Sequence, residues 1–217
     1  MSRTSFFSRY GRLTIFMIPI GIAINFVGGQ LALLLKLPVY LDSIGTVLVG
    51  ALCGGIPGAF VGLVSNGINS ITSPPTLAFG VLSVMFGLLA GWLGRRGVFT
   101  VLWKALASAI PFALIGGFLG ALLTLWAFGG LAVGGGALVV GVLMTAGLDV
   151  TTANFVAQVP MDFLDKVPTM LMVYMIIRGI PQRIFAKLPL GGVYLRAKGV
   201  TSAPVFAASR PTGGGRM

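Results

Sequence analysis

Apolar residues run almost without interruption along this chain, and the few breaks in the pattern divide it into elements. A hydrocarbon core about 30 Å thick takes about 20 apolar residues in helical form, and runs of that order recur. The first extends from Leu13 to Leu35 and ends at a short polar link, Lys36 to Asp42, that contains Pro38. The stretch from Ser43 to Asn69 is too long for one straight crossing. Gly54-Gly55-Ile56-Pro57-Gly58 divides it into two short spans, 43–54 and 57–71. Ser73-Pro74-Pro75 marks a turn, a fourth span follows from Thr76 to Gly94, and Arg95-Arg96 closes it. A long fifth span runs from Phe99 to Phe128 and gives way to a glycine-rich stretch, Gly129 to Gly136. Ala137 to Leu148 is apolar but too short to cross, which predicts a re-entrant or interfacial piece. The last span lies within Thr151 to Ile180. The pattern predicts an all-α integral membrane protein, a six-transmembrane helix bundle.

Composition supports this class. The chain of 217 residues is 56% hydrophobic and only 9% charged, against about 25% charged in a soluble domain. Its net charge of +11 raises the possibility of nucleic acid. The basic residues, however, sit in the gaps between apolar runs and form no basic face interleaved with aromatics, so no nucleic-acid partner is expected. Their distribution orients the bundle instead. Arg3, Arg9 and Arg12 precede the first span, Arg95, Arg96 and Lys104 join the fourth to the fifth, and Arg178, Arg183, Lys187, Arg196 and Lys198 follow the last. The opposite side carries only Lys36 and Lys166. The excess of Lys and Arg on cytoplasmic loops places both termini in the cytoplasm. Residues 1–12 then form a basic cytoplasmic N-terminus and 13–180 the six-span domain. Residues 181–217, polar and glycine-rich, form a flexible cytoplasmic tail. The run from Leu13 to Leu35 is too long for a signal-peptide core and lacks a cleavage site, so it is expected to be retained.

Several chemistries drop out. The chain has no histidine and one cysteine, Cys53, which removes imidazole catalysis, intrachain disulfides and multi-thiolate metal sites. No P-loop pattern is present. We expect no enzyme activity, no cofactor and no metal.

Small residues at four-residue spacing let helices approach closely in lipid. Gly50, Gly54, Gly58 and Gly62 have this spacing, as do Ala105, Ala109, Ala113, Gly117 and Ala121, with a shorter pair at Gly87 and Gly91. Packing within the bundle and docking of another membrane protein both fit. Trp92, Trp103 and Trp126 fit anchors at the membrane interface.

The scarce polar residues carry the candidate chemistry. All four acidic residues are aspartates: Asp42, Asp149, Asp162 and Asp165. A charge at the bilayer centre costs at least about 2.5 to 3.5 kcal/mol, so ionisable residues in spans are functional candidates by default. Asn154, Gln158, Asp162 and Lys166 recur every fourth residue, so one helix presents them as a polar stripe with Asp165 beside it. Asn66 and Asn69 share a face near the outer end of the third span, and Tyr40 and Asp42 lie in the outward link. On the topology above these three groups converge on one outward-facing pocket. Other roles remain open for each. Asp162 and Lys166 have the order of a helical ion pair, Asp42 or Ser43 fits a helix N-cap, and Asn66 and Asn69 fit interhelical hydrogen bonds.

Three segments carry a family resemblance. Leu37-Pro38-Val39-Tyr40-Leu41-Asp42-Ser43-Ile44-Gly45-Thr46, then Gly54-Gly55-Ile56-Pro57-Gly58-Ala59-Phe60-Val61-Gly62-Leu63, and late Asp162-Phe163-Leu164-Asp165-Lys166-Val167-Pro168 resemble the substrate-binding S components of energy-coupling factor (ECF) vitamin transporters. They are also similar to the related vitamin-uptake-like sensor domains of bacterial histidine kinases. The likeness covers roughly residues 13–180. It implies a multi-pass protein of a prokaryotic cell membrane that captures a vitamin-like small molecule from outside. Its partners would be a transmembrane coupling (T) subunit and two cytoplasmic ATPase subunits. The alternative is a ligand-binding sensor module that signals to a partner kinase. The resemblance makes the link from Lys36 to Asp42 a gate and lets Asn66, Asn69 and the late stripe line the pocket. Gly21 and Ala23 on the first span would contact the coupling subunit. Carboxylates and amides in the pocket favour a ligand with amines or many hydrogen-bond donors.

Overall fold

A helix apolar on every face has no side to give to solvent and must be enclosed. Residues Ile44–Cys53 are such a helix, and every one of them is buried. The computed structural model describes residues 6–35, 37, 39–72, 74–130 and 135–199, and every regular element among them is helical. In chain order these are α1 (Phe6–Leu34), α2 (Ile44–Cys53), α3 (Gly55–Thr72), α4 (Gly80–Arg95), α5 (Leu102–Ala107), α6 (Ala109–Phe128), α7 (Gly135–Thr145), α8 (Val150–Gly179), α9 (Gln182–Phe185) and α10 (Gly191–Ala197). Short 3-10 turns at Pro74–Phe79 and Val98–Thr100 precede α4 and α5.

Among the described residues, three stretches are long and apolar enough to cross a membrane: Gly11–Ala32, Thr76–Arg95 and Leu102–Phe128. The helix α8 is longer, at 30 residues, but Asp162, Asp165, Lys166 and Arg178 interrupt its apolar character. At 10 residues α2 rises only about 15 Å, half a bilayer core. It packs against α1, α3, α4 and α8. The break after it falls on Gly54, whose φ of 109° suits glycine alone. Pro57 lies in the first turn of α3, where its missing N–H leaves no bond unmade.

The four-residue glycine spacing is used inside the molecule. A Cβ on Gly58 would strike Gly50, one on Gly87 the backbone of Gly58 and Ala59, and one on Gly91 the backbone of Gly55. The helices α2, α3 and α4 therefore meet backbone to backbone. The stripe on α5 and α6 also points inward: Ala105, Ala109, Ala113 and Ala121 are buried, and a Cβ on Gly117 would meet Val159 of α8. Gly21 follows the same rule. It lies buried with its carbonyl against Gly45, which corrects its expected role as a partner contact, whereas Ala23 is exposed.

Ser43 stands at the N-cap position of α2 but makes no side-chain cap bond, so the capping role the sequence left open for it is not used. The cap comes from another helix. Fully buried Asn25 of α1 accepts hydrogen bonds at Oδ1 from the N–H groups of Gly45 (2.7 Å) and Thr46 (3.3 Å). Its Nδ2 donates to Thr46 Oγ1 (2.8 Å) and Ser65 Oγ (3.0 Å), tying α1 to α2 and α3. Asn25→Ala strips two N–H groups of their acceptor in a site closed to water. We expect it to cost about 1–3 kcal/mol, read as a lower unfolding midpoint in detergent.

The segment after Ile180 corrects a second expectation. Instead of a flexible tail, residues 181–199 turn back and pack on the bundle. Phe185, Leu188, Tyr194 and Leu195 are buried in the main core. Tyr194 donates its hydroxyl hydrogen to the Ala51 carbonyl (3.0 Å), and the Leu190 N–H bonds Leu52 O (3.1 Å), capping the C-terminal end of α2. The isolated apolar residues in this polar stretch were the available signal. Residues 1–5 and 200–217, Lys36, Pro38, Ser73 of the expected turn, and residues 131–134 of the glycine-rich stretch lie outside the described residues.

Candidate functional site

The stripe on α8 sets the geometry. Asn154, Gln158, Asp162 and Lys166 all face inward and all are buried, with Asp165 fully so. Lys166 lies midway along α8 rather than at an outer end, which corrects its place in the charge count. Its Nζ contacts Asp165 Oδ2 at 2.5 Å and Asp162 Oδ1 at 3.7 Å. It also donates to Ser43 Oγ (3.3 Å) and lies 4.6 Å from the centre of the Phe86 ring.

The link between α1 and α2 is fastened to this cluster. Asp165 Oδ1 accepts the backbone N–H groups of Tyr40 (2.9 Å) and Leu41 (2.8 Å). Leu41 has φ +50°, a conformation that a branched side chain adopts only when its surroundings impose it. The Tyr40 hydroxyl donates to Gln158 Oε1 (2.9 Å), Gln158 Nε2 donates to Thr124 Oγ1 (3.1 Å), and Thr124 donates onward to the Gly120 carbonyl (2.8 Å). On the far wall Asn66 Nδ2 donates to Gly62 O (3.0 Å) and to Ser83 Oγ.

These groups enclose a cavity of about 480 Å³, within the usual range for small-molecule sites. It lies among the C-terminal ends of α1, α3 and α6, the N-terminal parts of α4, α7 and α8, and the link over α2. Seven of the nine expected pocket residues line it: Tyr40, Asp42, Asn66, Asn69, Gln158, Asp162 and Lys166. Asp165 stands behind Lys166, and Asn154 donates to the Ala121 carbonyl (2.8 Å) outside the cavity. Phe79, Leu82, Phe86 and Met161 supply an apolar wall.

Asp42 keeps part of its surface open to the cavity, yet the dense shell around it raises its pKa above the ordinary carboxylate value. Desolvation is the main cause, and the Lys166 ammonium pulls the other way. Burial likewise raises the Tyr40 hydroxyl, which stays protonated and remains a donor. Asp149 plays a different part. It is exposed at the N-cap of α8, where its Oδ2 accepts the Thr152 N–H (3.1 Å); hydrogen bonds from the Thr152 side chain, and then its N–H, lower the pKa of Asp149.

Sequence reading missed Thr124, Ser83 and Gln30, which all reach the cavity. Each is a lone polar residue in an apolar run, the same signal that identified the asparagines. No protein-family model matches this chain, no curated protein does, and no solved structure does.

Proposed function

We propose that this chain is the substrate-binding S component of an ECF-type transporter in a prokaryotic cell membrane. In this reading it crosses the membrane six times with both ends in the cytoplasm. It captures a small, polar, vitamin-like nutrient at the outer face. The observation that carries the reading is one cavity bounded by a fastened link, a carboxylate–ammonium cluster and buried amides, at the end of the bundle away from the basic residues of 95–104 and 178–198. A permanent helix bundle that only supported other proteins has no need to hold a desolvated carboxylate beside a void of this size.

The parts fit capture and release. Tyr40 and Asp42 sit on the link that covers the cavity, Asp165 holds that link closed, and Asn66, Asn69, Gln158, Asp162 and Lys166 offer polar contacts within. The exposed face of α1, with Ala23 on it, is the surface offered to the transmembrane coupling subunit. Two cytoplasmic ATPases would drive release.

Mass spectrometry of the protein purified from its native host identifies any retained ligand. Labelled ligand then measures uptake in cells carrying Asp42→Asn. Loss of a charged hydrogen-bond partner costs about 1.5–3 kcal/mol, so we expect uptake at limiting ligand to fall at least about tenfold. Unchanged uptake removes Asp42 from the site.

A further inference from the structure

Among the described residues, the charges around the cavity do not balance. Asp42, Asp162 and Asp165 face a single ammonium, Lys166, the only cationic residue lining the cavity among the described residues. That ammonium is already committed to Asp165. Both oxygens of Asp165 are in use, Oδ2 by Lys166 and Oδ1 by the Tyr40 and Leu41 N–H groups. Asp165 and Lys166 thus form a closed structural pair. Asp162 is left with a longer contact, 3.7 Å from Lys166 to its Oδ1. Asp162 is only 5% exposed and lines the cavity, with its Oδ2 turned towards Gly120. A cation beside a carboxylate so placed offsets the cost of its desolvation.

The opposite helix makes room for one. A Cβ on Gly116 would collide with Asp162 Oδ1, and a Cβ on Gly120 would lie 3.9 Å from Oδ2 with no other atom within 4 Å. Gly116 therefore admits the carboxylate, and Gly120 leaves open space in front of Oδ2. Asp42 borders the same cavity from the link, and Phe79, Leu82, Phe86 and Met161 offer apolar surface beyond. A bare metal ion does not suit this arrangement. Hard cations take six or more oxygens, and the described residues bring no three metal-binding side chains together. The volume also far exceeds an ion.

We propose that the cavity selects an organic cation, a protonated amine or a permanently charged nitrogen heterocycle, whose positive centre sits beside Asp162 and Asp42 in the niche left by Gly120. This rests on the binding reading above and adds the charge of the ligand to it. The apolar body of the ligand lies against Phe86 and Leu82. Anionic nutrients are excluded, because they would bring a further negative charge into a desolvated site already lined by carboxylates.

The test uses the full chain in lipid nanodiscs. Thermal stabilisation is measured with equal concentrations of thiamine (cationic), pyridoxine and riboflavin (neutral), and biotin and pantothenate (anionic). Native mass spectrometry identifies any molecule that co-purifies. We expect the cationic probe, or a co-purified cation, to bind. Its Kd should rise at least tenfold in Asp162→Asn and in Gly120→Ala, and Asp149→Asn should leave it unchanged. Gly120→Ala guards against misfolding, since its new methyl group meets only the niche. A neutral or anionic ligand bound in preference to any cation overturns the inference while leaving uptake intact. Cation binding that both variants leave unaltered overturns the niche. No ligand of any charge, bound or co-purified, removes this inference and the binding reading together.

Discussion

Replacing Asp165 with leucine is expected to destabilise the protein by about 3–5 kcal/mol, the range for breaking a buried ion pair from one side. Asp165 is fully buried and satisfies three donors at once, the N–H groups of Tyr40 and Leu41 and the Lys166 ammonium. Leucine fills similar space but accepts nothing. The ammonium keeps only Asp162, Ser43 and the face of Phe86, and the strained turn at Leu41 loses the bonds that hold it. Denaturant titration in detergent measures the loss, and limited proteolysis across residues 37–43 reports whether the link opens. The double variant Asp165→Leu/Lys166→Met sharpens the test. Much of the single variant's cost is the stranded charge, so removing that charge as well is expected to recover part of the lost stability. If the single variant unfolds at the wild-type midpoint, or the double variant is the weaker of the two, the closed pair is not what fastens the link.

The main outline of the fold was legible in the sequence because lipid-scale apolar runs and glycine breaks have few interpretations. The Gly54–Gly58 cluster announced the division between α2 and α3 to within a residue or two. The four-residue spacing from Asn154 to Lys166 announced an inward polar stripe. The misses share a cause. The cap on α2 comes from Asn25, on another helix, and no local pattern reveals a donor–acceptor match across 20 positions of chain. The segment after Ile180 read as a tail because its polar residues dominate a window average, while Phe185, Leu188, Tyr194 and Leu195 do the packing. Gly21 was assigned to a partner surface by resemblance alone, which does not say which side of a helix faces in.

The site shows the same division. Scarcity of charge was enough to single out Asp42, Asp162, Asp165 and Lys166. It did not divide them into a structural pair and a cavity-facing remainder, since that depends on which oxygen each donor reaches. Thr124, Ser83 and Gln30 escaped because hydroxyls and single amides are tolerated in helices for many reasons. Only their position beside the cavity separates them from ordinary interhelical contacts.

Two glycine-to-alanine changes are expected to move stability in opposite directions, although each adds a single methyl group to a helix. Gly87→Ala drives its Cβ into the backbone of Gly58 and Ala59, where no side chain can rotate out of the way. The helices α3 and α4 must separate, and overpacking of this kind costs about 1–3 kcal/mol. Gly67 lies within α3, and a Cβ there meets no atom within 4 Å. Gly67→Ala gains helix propensity alone, about 0.5–1 kcal/mol. Parallel unfolding titrations in one detergent compare the two. The consequence reaches the cavity, because the Asn66–Ser83 bond crosses the α3–α4 contact and Phe86 lies one residue from Gly87. Gly87→Ala should therefore weaken ligand retention as well as stability, and Gly67→Ala should leave retention alone. A shift of the same sign in both variants would mean that α3 and α4 do not touch backbone to backbone, and the wall of the cavity would have to be drawn elsewhere.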